Sequence, residues 1–176
     1  AESYILEQHL ENEDILVIYL PECHESIAGI IAGRIREQYN KPVIVLTKAE
    51  EGVKGSGRSI EAYNMYESLS ECKEYFLKFG GHKMAAGLSL KEENIEPLRQ
   101  KLNNNSSLTK EDFEEKIVID VPMPISYITE KLIAQLEKCE PFGVGNEKPI
   151  FEQKGITILS ENRLGKEKNV GKYRIT

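Results

Sequence analysis

The chain has 176 residues, 40% of them hydrophobic, and a formal net charge of −6. That is enough apolar material for a sizeable core, no run approaches the roughly 20 apolar residues of a membrane span, and the acidic balance argues against a broad nucleic-acid surface. Cys23, Cys72 and Cys139 are far apart and odd in number, so they read as reduced thiols of a cytoplasmic protein rather than a CxxC metal site or a disulfide framework. The N-terminus lacks the basic and apolar pattern of a secretion signal. Charge is uneven, however. From Arg163 to Arg174 five bases face one acid, whereas the opening stretch EQHLENED is acidic.

In chain order, DILVIYLP (Asp14 to Pro21) is a continuous apolar run that predicts a buried strand. Ile27, Ile30, Ile31 and Ile35 then follow at helical spacing, with Gly29 and Gly33 four apart on the same helix to allow close packing. KPVIVLTK predicts a second buried strand, and the β-α-β order implies parallel pairing. A third strand is expected from Val53 to about Gly57. Asn64 with Glu67 three residues on marks a helix start. Met65, Leu69, Cys72, Phe76 and Phe79 then keep helical spacing, which predicts one core-facing helix ending at Gly80 as its C′ glycine. MAAGLSL resumes extended structure, and a helix follows from about Asn94 to Leu102.

The polar NNNSSLTK stretch (Asn103 to Lys110) has no apolar period and reads as a linker region. FEEKIVIDVPM alternates like a half-buried strand, Thr129 to Cys139 predicts a short helix, and short strands joined by turns complete the chain.

Two stretches have the chemistry of anion binding. KGSGRS (Lys54 to Ser59) offers the Arg58 guanidinium as a planar fork, with the Ser56 and Ser59 hydroxyls beside it. GGH (Gly80 to His82) offers glycines whose N–H groups could converge on an anion, with an imidazole at the mouth. Ala85-Ala86-Gly87 behind it keeps the floor thin. Either stretch alone is commonly an ordinary turn; their joint occurrence, at the two ends of one predicted helix, is what points to a shared site. His24 precedes a helix and reads as a capping residue. Asp14, Asp112 and Asp120 are each isolated, and there is no His/Asp cluster of the kind two-metal phosphodiester hydrolysis requires. The residues describe a binder of phosphates and hold no metal site.

KGSGRSIEAYNMYESLSECKEYFLKFGGHKMAAGLSL closely resembles the DHHA1 domain of the RecJ family of single-stranded-DNA exonucleases. HESIAGIIAGRI with KPVIVLT looks like the beginning of that domain, and EPFGVGNEKPIF is similar to the segment joining it to an OB-fold. Departures are modest: Ser26 stands where the family often has glycine, Gly57 where alanine is common, and Glu147 where proline is usual. The resemblance implies an α/β fold, with a DHHA1-type mixed-sheet domain flanked by helices over 1–105, a linker at 106–112 and a partial β-rich, OB-like domain over 113–176.

In function, the resemblance implies the substrate-binding part of a metal-dependent 5′→3′ exonuclease acting on single-stranded DNA in repair and recombination. Mn2+ or Mg2+ is expected in a separate DHH domain that this chain lacks and would dock against. The chain is therefore expected to be a fragment, inactive alone, with no membrane association. Carried over by motif, Ser56, Arg58 and Ser59 would contact DNA phosphate. Gly80, Gly81 and His82 would border the scissile phosphate, with His82 as an assisting residue. Two rivals remain: a DHHA1-containing phosphodiesterase for oligoribonucleotides or cyclic dinucleotides, and a non-catalytic module working through its OB-like part, where only Tyr173 offers a stacking ring after Lys154.

Overall fold

The apolar run after Asp14 becomes strand β1 (Leu16–Tyr19) in a computed structural model that describes residues 1–176. The chain separates into two compact units, Ala1–Glu115 and Lys116–Thr176.

In the first unit a short helix α1 (Glu2–Glu7), which the sequence pattern does not announce, precedes β1. Helix α2 (Ala28–Tyr39) connects β1 to β2 (Val43–Lys48), and the two strands pair in parallel as the β-α-β order implies. His24 caps the single 3-10 turn Glu25–Ile27 ahead of α2, its Nδ1 accepting from the Ser26 N–H at 3.2 Å. Strand β3 (Val53–Arg58), helix α3 (Met65–Ser70), strands β4 (Phe76–His82) and β5 (Ala85–Leu90), and helix α4 (Ile95–Asn104) follow. The strands form one mixed sheet in the order β1-β2-β3-β5-β4.

The two-residue period of the strands divides the core between the faces of this sheet. Val43 and Val45 of β2 pack with Ala28, Ala32 and Ile35 of α2, whereas Ile44 and Leu46 pack with Met65, Leu69, Leu98 and Leu102 on the other side. No residue of β3, β4 or β5 belongs to the α2-side cluster, so on that face the apolar core ends at β2.

The predicted helix from Met65 to Phe79 is corrected. Only Met65–Ser70 is α-helical; Lys73–Tyr75 is a 3-10 turn, and Phe76–His82 is the edge strand β4. The apolar stripe remains inward: Met65, Leu69 and Cys72 are buried and Phe76 and Phe79 pack against the same core. What overrides the helical spacing is pairing with β5, in which Gly80 lies opposite Gly87 and His82 opposite Ala85. Aromatic residues suit a strand and two successive glycines weaken a helix, so local preference agrees with the outcome. Gly80 is thus no helix cap, and the two glycines form no anion nest at a helix end.

Asn103, at the start of the expected linker region, lies in α4. Its side chain ties that helix to β1, donating to the Ile15 carbonyl and accepting from the Ile15 N–H, both at 3.0 Å. Leu108 and Phe113 also pack against the first core, so residues 106–112 lie with this unit.

In the second unit, the strand predicted across Phe113–Met123 shrinks to β6 (Val121–Pro122), which pairs in parallel with β7 (Phe151–Glu152). Ile117 and Val118 are exposed, so no face is buried there to sustain a longer strand. Helix α5 (Glu130–Glu137) forms as predicted and is capped by Thr129, whose hydroxyl accepts from the Leu132 N–H. Strands β8 (Ile158–Leu164) and β9 (Val170–Ile175) make an antiparallel hairpin.

Candidate phosphate-binding face

KGSGRS is not a loop. Lys54 to Arg58 lie within β3, at the middle of the sheet, with β2 on one side and β5 on the other. Directly paired residues project to the same side of a sheet, and alternate residues along a strand share a face. The registers β3–β5 and β5–β4 therefore build three rows on the α2 side: Arg58–Ala85–His82, Ser56–Gly87–Gly80 and Lys54–Ser89–Lys78. Four basic side chains stand at the corners, and the five positions between them carry only Ser, Ala or Gly. At about 4.8 Å per strand and 6.7 Å per two residues, the floor measures about 10 by 13 Å. The observations point to a shallow, cation-cornered surface on which an extended chain can lie against backbone.

Arg58 is held on this face by its own strand and by α2. Its Nη1 donates to the Ser56 hydroxyl at 3.1 Å and to the Gly57 carbonyl at 2.8 Å. Both acceptors are neutral, so the guanidinium charge has no carboxylate partner there. A Cβ built on Gly29 would stand 3.0 Å from Arg58 Nη2 and 3.1 Å from Ser56 Oγ, whereas Gly33 has nothing within 4 Å. The close approach expected of both helix glycines is therefore made by Gly29 alone, and it makes room for Arg58.

His82 sits at the end of β4, where two residues, Lys83 and Met84, turn the chain into β5. Its Nδ1 accepts from the Met84 N–H at 3.3 Å. In the neutral ring this leaves the proton on Nε2, which is then a donor facing outward from an exposed side chain. The turn itself is anchored: Lys83 O accepts from the Met65 N–H at 3.0 Å, and Met84 O from the Ser59 N–H at 2.9 Å. The segment bearing Arg58 and the hairpin bearing His82 are thereby joined backbone to backbone.

The remaining residues separate by position. Gly80 is exposed, with nothing within 4 Å of a notional Cβ, so it belongs to the open floor. Gly81 pairs with Ala86 at φ +156°, and a Cβ there would come within 2.3 Å of the Ala85 carbonyl; it serves the hairpin geometry. Ser59 is turned inward at 2% exposure, and its hydroxyl donates to the Tyr63 carbonyl at 2.7 Å. It shapes the bend after β3 and presents no hydroxyl to a ligand. Lys54, Lys78 and Ser89 share this face and are not singled out by the sequence motifs. The signal that finds them is the alternation Lys78-Gly80-His82 read as a strand and set beside Lys54-Ser56-Arg58.

Lys54 also donates to Glu25 at 2.8 Å. This hydrogen bond, and then the opposite charge, lowers the Glu25 carboxyl below its ordinary range and raises the Lys54 ammonium.

Residues 12–107 match the DHHA1 domain family, more than half of the chain. The chain belongs to the DHHA1 family. Residues 119–176 match the RecJ OB domain. The single-stranded-DNA-specific exonuclease RecJ of Bacillus subtilis is 35% identical over 175 residues, covering 97% of this chain and 22% of that protein. Its Escherichia coli counterpart is 34% identical over 162 residues, covering 88% and 28%. The crystal structure of RecJ in complex with Mn2+ from Thermus thermophilus superposes with a TM-score of 0.76 at 26% identity, covering 94% of this chain and 25% of that one. The chain is thus homologous to the DHHA1 and OB region of RecJ while spanning about a quarter of the length of these relatives. This DHHA1–OB pairing favours the RecJ reading over a phosphodiesterase for oligoribonucleotides or cyclic dinucleotides.

The Thermus thermophilus RecJ structures hold Mn2+ in one case and Mg2+ in another. In this chain no group of three or more His, Cys, Asp or Glu side chains comes together that could hold a metal ion. Its residues do not fit a metal centre. No helix is long and apolar enough to cross a membrane.

Proposed function

We propose that the α2-side face of β3, β5 and β4 carries the phosphodiester backbone of single-stranded DNA. The chain would then be the substrate-binding portion of a cytoplasmic RecJ-type 5′→3′ exonuclease of DNA repair and recombination. Arg58 and Ser56 bind a phosphate. Gly80 and Gly87 let the strand lie on the sheet, and His82 offers its Nε2–H to an oxygen of the phosphate at the reacting end. Hydrolysis itself draws on Mn2+ or Mg2+ held outside these residues, in a DHH domain that docks against this face. Ser59 and Gly81 support the site without touching DNA.

The observation that carries this reading is the row Arg58–Ala85–His82, which sets a guanidinium and an imidazole on one face with only a methyl group between them. Salt titration of binding to a 5′-phosphorylated oligothymidylate tests it. Arg58→Ala is expected to weaken binding about tenfold and to lower the slope of log K against log salt by about 1. Equal affinities and slopes for the two proteins would refute it. In a chain that also carries the metal-binding domain, His82→Ala is expected to slow single-turnover cleavage more than it weakens DNA binding.

A further inference from the structure

Two cavities lie along the open face, and one ion pair stands between them. The smaller, of about 380 Å³, is lined by Ser26, Ala28, Thr47, Ser56 and Gly87. The larger, of about 960 Å³, is lined by Glu22 and His24, by Lys48, Glu50 and Glu51, and by Lys78 and Ser89. Glu25 and Lys54 alone line both. Their contact, Lys54 Nζ to Glu25 Oε2 at 2.8 Å, bridges the turn before α2 to strand β3. Each side chain is about half exposed, 55% for Lys54 and 47% for Glu25, so little besides the ion pair holds the partition closed.

The position of this pair matters for a polyanion. The smaller cavity opens over Ser56, beside Arg58, and the larger continues over Ser89 and Lys78 in the next row of the floor. Arg58 and Lys54 are four residues apart on β3, about 13 Å. That is the separation of their backbones, and a strand with several phosphates can engage both side chains at once. A phosphate oxygen arriving at Lys54 offers the ammonium the same charge-assisted bond that Glu25 supplies now. The released carboxylate then faces a line of negative charge and is driven out of the path.

We propose that Lys54 is a second phosphate ligand held in reserve by Glu25. A single strand long enough to run from Arg58 to Lys54 exchanges the carboxylate for a phosphate, joins the two cavities into one trough, and so binds in a length-dependent way. This deepens the phosphate-binding reading of the face and rests on it.

The test measures fluorescence anisotropy at low salt with 5′-phosphorylated oligothymidylates of two and of eight nucleotides. The variants are Glu25→Gln, Lys54→Met, the double variant and Arg58→Ala. Glu25→Gln is expected to tighten the eight-nucleotide probe about three- to fivefold, as suits an exposed ion pair, and to leave the two-nucleotide probe unchanged. Lys54→Met is expected to weaken the longer probe and to abolish the gain from Glu25→Gln in the double variant. A gain that persists without Lys54, or that is equal for both probes, would show a general charge effect and overturn the exchange. If the exchange fails while Arg58→Ala still weakens both probes, the phosphate-binding face stands and only the role of Lys54 falls. If Arg58→Ala also leaves both probes unaffected, the face itself is wrong.

Discussion

Arg58 and His82 stand in one row across the sheet, each paired directly with Ala85. One comes from the middle strand and the other from the edge strand, and the row brings them to about 10 Å of each other on one face. The backbone links from Ser59 to Met84 and from Met65 to Lys83 lock the two segments together, so a ligand that touches both meets a preformed surface.

Gly29 tests how Arg58 is positioned. An alanine there would push its methyl group to 3.0 Å from Arg58 Nη2, and the guanidinium, as the end of a flexible side chain, would move. Gly29 is the second residue of α2, where alanine also gains part of the preference of about 0.5–1 kcal/mol that it has over glycine in a helix interior. Gly29→Ala is therefore expected to raise the melting temperature slightly while weakening single-stranded-DNA binding severalfold. Parallel thermal melts and binding titrations check this opposite movement.

Gly80 and Gly81 are adjacent but have separable roles. Gly81→Ala puts a methyl group into the Ala85 carbonyl at a backbone angle side chains rarely adopt, and is expected to destabilise the first unit by about 2–4 kcal/mol. Gly80→Ala has open space and is expected to leave stability within about 0.5 kcal/mol while weakening DNA binding by raising the floor. Urea unfolding of the two variants, followed by binding for Gly80→Ala, distinguishes them.

The extent to which this site is legible in the sequence follows from which signals are local. Val43 to Leu46 is apolar without interruption, so a buried strand follows from the run itself, and the Asn64 cap is readable from its spacing to Glu67. Phe76 and Phe79 continue the helical spacing of Met65, Leu69 and Cys72, and inward-facing positions of β4 happen to satisfy the same rule. Only the register with β5 distinguishes the two, and register is a long-range property. The same limit explains Ser59. A hydroxyl beside an arginine looks like a ligand until the bend that buries it is known. Arg58, Ser56 and His82 are recognisable as a set by chemistry, but Lys54, Lys78 and Ser89 join them only through cross-strand pairing.

Tyr63 gives the first unit an alkaline limit. Burial pushes its hydroxyl up to about 12 from the usual 10, against a smaller lowering by the hydrogen bond with Ser68. Because the folded value is the higher, this contribution is complete below about pH 10 and is lost as pH rises from about 10 to 12, on the order of 3 kcal/mol in all. Tyr63→Phe is expected to remove that part of the decline. Chemical denaturation of both proteins at pH 9 and pH 11.5 measures it; equal losses in the two would contradict the assignment.

The central claim, that one face of the sheet holds the DNA backbone, is tested most directly by an NMR titration with a short 5′-phosphorylated single strand, following the Arg58 Nε–H, the His82 ring and the methyl groups of the core. Saturable shifts are expected for Arg58, His82 and the Ala85 methyl group, with Met65 and Leu69 on the opposite face unmoved. Shifts centred on Met65 and Leu69, with Arg58 and His82 silent, would contradict that claim.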